Sequence, residues 1–173
     1  MPLLTNQPDN TNFLSPLAFR FMLSRAPNLN FFATDVNIPS LTLGFIELPT
    51  PFKIIELPGD KLDYGDLQLT FKVDENFANY FEIYNWLVAL GFPDEFGQYK
   101  KLSGAPRGSK DTITSDASLI IFNSSYVPNV EAYFQDIFPV SIGDINFTTT
   151  DTDVNYVTNT VVFKYKRFSI KKL

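Results

Sequence analysis

The chain has 173 residues, of which 45% are hydrophobic and 19% charged, a composition typical of one folded domain with its own core. Its net charge of −5 argues against binding nucleic acid by neutralising phosphates, which requires basic surfaces. The sequence contains no cysteine and no histidine, which excludes disulfides, thiolate or imidazole metal ligands and histidine-dependent catalysis. No apolar run approaches the ~20 residues that a spanning helix needs, so no membrane association is expected.

The N-terminal part of the chain divides into a polar arm and the start of a β domain. Residues 1–16 are rich in proline and asparagine, which oppose regular structure, and a single domain is expected over residues 17–173. Alternating apolar side chains predict a first strand at Leu17–Leu23. A turn is predicted at Pro27–Asn30, and Phe31–Ile38 is expected to return as the hairpin partner of the first strand.

Residues 39–61 are punctuated by four prolines but are too apolar for a free loop. Proline removes a backbone donor, so this segment cannot be a plain central strand. An extended hairpin or arm that packs against another chain satisfies both observations. The alternative is a loop folded over the core of its own domain. The residues predicted to form an oligomer interface are Phe45, Ile46, Leu48, Phe52, Ile54 and Ile55.

A clear strand and a helix come next. Leu67–Val73 alternates apolar and polar residues, as expected for a strand with one buried face. Asp74 is a suitable N-cap for a following helix, and Gly91 is suited to end it. The helix is expected to cover one sheet face with the residues at helical spacing, Phe77, Phe81, Tyr84 and Val88, and with Tyr80, Trp86 and Leu87 beside them.

The C-terminal half begins with a long polar loop, predicted at 94–116. Further strands are predicted at Ala117–Phe122, Val130–Phe138 and Thr158–Ile170, with a short extended segment at 142–148 and a turn at 151–153. Residues 131–135 could instead form a short helical turn. One helix on mostly antiparallel strands predicts a mainly β (α+β) fold, a sandwich or barrel with one flanking α-helix.

The carboxylates form no recognisable catalytic or metal-binding motif. The adjacent pairs at 74–75 and 94–95 do not supply two carboxyls held across a sugar bond. Asp151 and Asp153 lack the glycine and terminal glutamate of a calcium loop. We therefore predict no catalytic, cofactor-binding or metal-binding residues, no cofactor and no enzymatic activity.

Basic residues crowd the C-terminus, at Lys164, Lys166, Arg167, Lys171 and Lys172. They indicate either a solvated strand edge and tail or a docking site for an acidic partner, such as a neighbouring subunit. Aromatic residues among them, between Phe163 and Phe168, could form a nucleic-acid platform. Because the whole chain is acidic, we expect these aromatic residues to pack in the core or in a protein interface instead.

Several segments, in this order, resemble the contractile-phage tail-tube family over roughly residues 17–170. They are Phe19-Arg20-Phe21, Val36-Asn37-Ile38-Pro39, Leu41-Thr42-Leu43, Pro58-Gly59-Asp60, the run from Tyr64 to Glu75, the helical Tyr84-Asn85-Trp86-Leu87, the run from Phe138 to Ile145, and the closing Val161-Val162-Phe163-Lys164-Tyr165.

This resemblance implies a structural virion protein that forms hexameric rings stacked on themselves. The rings would build the inner tube of a contractile tail, through which DNA passes without specific binding. The hairpin at 39–61 would reach the adjacent ring, and the partners would be the sheath and baseplate or neck proteins. The expected location is the phage tail, after assembly in the host cytoplasm. Alternatives are a baseplate tube initiator or tail-terminator ring of the same fold, or a carbohydrate-binding β-sandwich of a tail fibre.

Overall fold

A computed structural model describes residues 11–91, 102, 113–149 and 156–173. The strands are β1 (Phe19–Leu23), β2 (Ala33–Val36), β3 (Leu41–Pro49), β4 (Ile54–Tyr64), β5 (Leu67–Lys72), β6 (Ser115–Phe122), β7 (Pro128–Ile142), β8 (Thr158–Lys164) and β9 (Arg167–Lys172). The helices are α1 (Pro27–Phe32) and α2 (Ala78–Gly91).

The strands pair antiparallel in the order β1-β6-β7-β8-β5-β2, with β9 also on β7, and β3 and β4 form a separate two-stranded sheet. The 15-residue β7 joins two sheets, because Val130–Gln135 pairs with β9 and Phe138–Ile142 pairs with β8. Between these halves Asp136 has a φ of 54°, a left-handed conformation that aspartate tolerates better than most residues. This arrangement confirms the predicted mainly β (α+β) class.

The core lies where the sheets face each other and α2. Strand β5 illustrates it, since Leu67, Leu69 and Phe71 are fully buried while the residues between them are not. Each such side chain contributes about 1.5–3 kcal/mol by leaving water. Other large buried side chains are Phe21, Leu23, Leu29, Ile83, Phe134, Ile137, Val161 and Phe163.

The predicted pairing of the first two strands is wrong. The segment expected to be a turn at Pro27–Asn30 begins helix α1, where proline suits the first turn. The side chain of Asn30 accepts a hydrogen bond from the Leu23 N–H (2.7 Å) and donates one to the Leu23 carbonyl (3.1 Å). The helix carries the chain to the other sheet, so β2 pairs with β5, and β1 pairs with β6.

Asp74 is not the N-cap of α2, which begins at Ala78. Phe77, just before the helix, has a φ of 57° and donates its N–H to the Asp74 carbonyl (2.9 Å). Asn79 is buried and ties this turn to β5, accepting a hydrogen bond from the Asp74 N–H (3.2 Å) and donating one to the Lys72 carbonyl (2.7 Å). These bonds place the start of α2 at the C-terminal end of β5.

The predicted inner face of α2 is also wrong. The buried residues of the helix are Asn79, Ile83, Trp86 and Ala89. Of the predicted set, Phe81 is 51% exposed and Tyr84 is exposed, while Phe77 and Val88 are half-buried. The helix is apolar on both sides, so periodicity alone does not select its inner face.

The C-terminal strands differ in extent from the prediction. The expected loop at 94–116 ends earlier, because β6 begins at Ser115; residues 94–101 and 103–112 lie outside the described residues. Residues 131–135 belong to strand β7 and do not form the alternative helical turn. The strand continues through Pro139, where only β8 pairs with it.

The expected final strand is divided into β8 and β9 by Tyr165 and Lys166. The extended segment predicted at 142–148 has only its first residue in a strand. The turn predicted at 151–153 lies outside the described residues.

A close approach of two glycines shapes the β3–β4 hairpin. The register shifts between Leu43 and Phe45, across Gly44. A Cβ added at Gly59 would lie 2.6 Å from the Gly44 carbonyl oxygen, too close for any real side chain. Glycine at position 59 therefore allows the two backbones to pass at this bulge.

Replacing the buried Ile83 should test the observed orientation of α2. We expect Ile83→Ala to lower the free energy of unfolding by about 2–5 kcal/mol, because it leaves a cavity. The control Phe81→Ala, two residues away on the outer face of the helix, should cost less than about 1 kcal/mol in the monomer. Urea denaturation measures both; the reverse ranking would place the predicted face inward.

The close glycine contact makes a second prediction. Gly59→Ala should push the strands apart and speed amide hydrogen exchange in β3 and β4 by about tenfold or more, leaving β5 unchanged. Gly91→Ala is the matched control, because nothing lies within 4 Å of its added Cβ. Equal exchange in the two variants would contradict the close approach.

Candidate assembly interface

The β3–β4 hairpin, here called the arm, projects as a two-stranded sheet of its own. All nine residues of β3 are exposed, and so are most residues of β4. An isolated two-stranded hairpin is at best marginally stable in water. An exposed apolar surface on such a hairpin is typical of a protein interaction site.

The structure places all six predicted interface residues on the arm, and all are exposed; Phe52 at its tip is 98% exposed. They do not share one face. Register pairs Ile46 with Leu57 and Leu48 with Ile55, and these four residues form one contiguous apolar face of the arm. Leu57 was absent from the predicted set, although its cross-strand position opposite Ile46 completes this face.

The other face of the arm carries Phe45 and Ile54 with a pair of carboxylates. Glu47 lies directly opposite Glu56, between the pairs Phe45–Pro58 and Pro49–Ile54. Like charges at directly opposite positions destabilise a hairpin. The two faces therefore differ in character, one wholly apolar and one with negative charge at its middle.

The base of the arm is fixed to the body of the domain. The Tyr165 hydroxyl donates a hydrogen bond to the Gly65 carbonyl (2.8 Å). The Tyr64 ring packs edge to face on the rings of Tyr165 and Phe168, with centroid distances of 6.1 and 5.7 Å. Burial, followed by the nearby Asp66 carboxylate, raises the pKa of Tyr165 to about 12. Asp66 itself forms an ion pair with Lys164.

A second exposed apolar surface lies on the outer side of α2. The rings of Phe77, Tyr80, Phe81 and Tyr84 follow one another with centroid distances of 6.0–6.4 Å, and Tyr80 stacks on Tyr84. We call these four residues the aromatic stripe. Three of them were expected to lie in the core, because apolar residues on both sides of the helix do not indicate which set remains outside.

Several of the basic C-terminal residues have partners within their own sheet. The Arg167 Nε donates to Gln135 (2.6 Å), and Lys171 lies opposite Glu131. The aromatic residues between them are not a free platform, because Phe163 is fully buried and Phe168 packs on the ring of Phe134.

Within residues 11–91, 113–149 and 156–173, no group of three or more acidic, histidine or cysteine side chains could hold a metal ion. No helix in these ranges is long and apolar enough to cross a membrane. The acidic pairs at 94–95 and 151–153 lie outside the described residues.

Comparison with solved structures identifies the fold. The chain is similar to the tube-terminating cap of the anti-feeding prophage, with a TM-score of 0.63, 12% identity and 100% of both chains covered. It is also similar to a chain of the sheath–tube complex of the PVC extracellular contractile injection system (TM-score 0.60, 11% identity, 94% of both chains). A third similar structure is Hcp1 from Flavobacterium johnsoniae (TM-score 0.51, 13% identity, 93% of this chain and 98% of that one).

No protein-family model matches the sequence, and no curated protein matches it. The likeness therefore concerns architecture, at identities of 11–13%. The antiparallel strands, the flanking helix α2 and the projecting arm together give this chain the tube fold found in contractile injection systems.

Proposed function

We propose that the chain is a structural subunit of the inner tube of a contractile tail, as the resemblance of its sequence suggests. The observation that carries the proposal is the arm, which exposes apolar side chains on a strand pair that packs on no core of its own. Such a surface is costly in a free monomer and is covered in an assembly. The similar structures include components of tube, sheath–tube and cap assemblies.

The way that the sheets end supports the assembly of subunits into rings, which we propose to be hexameric. Strands β1 and β2 terminate the sheet order, which leaves edges available for pairing with neighbouring subunits. A head-to-tail interface between identical subunits closes into a ring, and stacking through the arm extends the ring into a tube. The role is non-catalytic, with sheath, baseplate and neck proteins as further partners.

The finer proposal is a phage tail, assembled in the host cytoplasm, whose bore conducts DNA. The net charge of −5 supports it, because carboxylates along a bore repel phosphates and keep the passing genome from adhering. The same charge suits a tube that conducts another acidic cargo. Which cargo passes decides between a phage tail and an injection apparatus.

A terminal ring of the tube is the second candidate. Its support is the likeness to a tube-terminating cap over 100% of both chains. The number of copies in a purified particle separates the two roles. A terminal protein forms one or two rings in each particle, whereas the main tube subunit forms dozens of rings.

The purified chain is expected to form six-fold rings or tubes by negative-stain microscopy. Ile46→Asp combined with Ile55→Asp places two charges on the apolar face of the arm. We expect this change to raise the concentration needed for assembly by about 100-fold or more, because each buried apolar side chain contributes roughly 1.5–3 kcal/mol.

Val127→Asp is the control, since Val127 is exposed at the turn between β6 and β7. It should leave assembly unchanged. A wild-type chain that stays monomeric at high concentration, or a double variant that assembles normally, would refute the role of the arm.

The fixed base of the arm predicts a specific response to alkaline pH. The pKa of Tyr165 is about 12 when folded against 10.0 as its ordinary value, so the folded state disfavours the ionised phenol. The protonated Tyr165 phenol therefore contributes its full stabilisation of the folded state below pH 10, and this stabilisation is lost as the pH rises from 10 towards 12.

Tyr165→Phe should remove this part of the pH dependence, and at neutral pH it should cost about 0.5–1.5 kcal/mol through the lost hydrogen bond to Gly65. Urea denaturation at about pH 9 and about pH 11 measures both effects. Tyr126→Phe, at the exposed β6–β7 turn, serves as the control and should keep the wild-type slope. An identical slope in Tyr165→Phe would contradict the assigned cause.

A further inference from the structure

The aromatic stripe lies on a helix that has apolar side chains on both its inner and its outer side. Ile83 and Trp86 fill the core on its inner side, while Phe81 and Tyr84 are exposed on its outer side. Several large apolar side chains exposed together on one side of an element mark an interaction surface. The exposed rings therefore indicate a surface that a partner covers.

The end of the molecule that carries the stripe holds other exposed rings. The Lys72 ammonium lies 4.1 Å from the ring centre of the exposed Tyr156. Helix α1, with the exposed Phe31, packs beside α2 through hydrogen bonds from Asn28 and the Leu29 N–H to Glu82 (2.8 and 3.3 Å). We call this end of the domain, defined by the stripe with Phe31 and Tyr156, the aromatic pole.

The arm and the aromatic pole lie at opposite ends of β5. The arm joins β5 through Gly65 and Asp66, just before Leu67. The start of α2 is tied to the other end of β5 by the bond from Asn79 to the Lys72 carbonyl. Six extended residues separate these ends by roughly 20 Å.

Two unpartnered apolar surfaces at opposite ends of one subunit are what a head-to-tail contact between identical copies requires. The arm strands contribute nine and eleven residues. That number matches one side of a standard-size protein interface, which has roughly 20–30 residues a side. Aromatic side chains are the residues most often found at the centre of such interfaces.

We propose that the aromatic pole is the docking surface for the arm of a second copy of this chain. The inference rests on the proposed function and adds the receiving surface for the arm. Each copy would cover the arm of one neighbour and extend its own arm to another. Because the two surfaces lie at opposite ends of the subunit, such a contact adds copies head to tail rather than pairing two copies face to face.

Cysteine cross-linking tests the contact directly, because the natural chain has no cysteine. Lys53→Cys at the arm tip and Asn85→Cys beside Tyr84 alter neither apolar surface. When the two single variants are mixed and treated with a flexible bis-maleimide, we expect cross-linked dimers of one chain of each kind. Ser125→Cys, at the exposed β6–β7 turn, replaces Asn85→Cys in the control mixture.

The first mixture should give about tenfold or more cross-linked product than the control, because docking raises the local concentration of the two thiols. Equal yields, with rings or tubes still visible by microscopy, would overturn this inference and leave the proposed function standing. A chain that forms no assembly under any of these conditions would overturn both.

Variants of the stripe supply an independent measurement. Phe81→Asp and Tyr84→Asp should each raise the concentration needed for assembly by roughly tenfold or more, while thermal unfolding of the monomer stays close to wild type. Tyr126→Asp is the matched control, an exposed aromatic residue away from the aromatic pole, and should leave assembly unchanged. Normal assembly in both stripe variants would exclude the stripe from the contact.

Discussion

Strand β7 pairs with β6 and β9 along its first half and with β8 along its second half, so neither sheet can form its full set of hydrogen bonds without it. The change of sheet occurs at Asp136, whose left-handed backbone is held by a hydrogen bond from its own N–H to Asp116 (3.2 Å). The position of β8, and through it of β5, follows from that bend. Both the arm and α2 extend from β5, so the geometry of the two exposed surfaces is set by β7.

The local sequence pattern was sufficient to predict an element and its buried face where the other face of that element is polar. The alternation in β5, with Gln68 and Lys72 among apolar residues, predicted both the strand and its buried face. It was insufficient for α2, because aromatic and aliphatic residues occupy both sides of the helix. The inner face is chosen there by the buried bonds of Asn79, a tertiary contact that periodicity does not contain. The pairing of β2 with β5 was missed for a related reason, since a six-residue helix replaces the predicted turn.

The candidate site could be predicted in part. Prolines among apolar residues marked the arm, and all six residues singled out there are exposed. Sequence did not divide them into two faces, because that division depends on a register that shifts across Gly44. The aromatic stripe was unpredictable as a surface, since the same rings would serve equally well in a core. Only the folded arrangement shows that arm and stripe lie at opposite ends of one strand.

The continuity between the arm and β5 has a mechanical consequence. Strand β4 leads through Gly65 and Asp66 directly into β5, which is flanked by β2 and β8. A pull on the arm is therefore a lengthwise pull on a strand bonded on both sides. Hydrogen bonds in antiparallel sheets lie perpendicular to the strands, so such a load shears many of them together rather than peeling them one by one. A domain whose arm is anchored in this way resists unfolding when the arm is pulled.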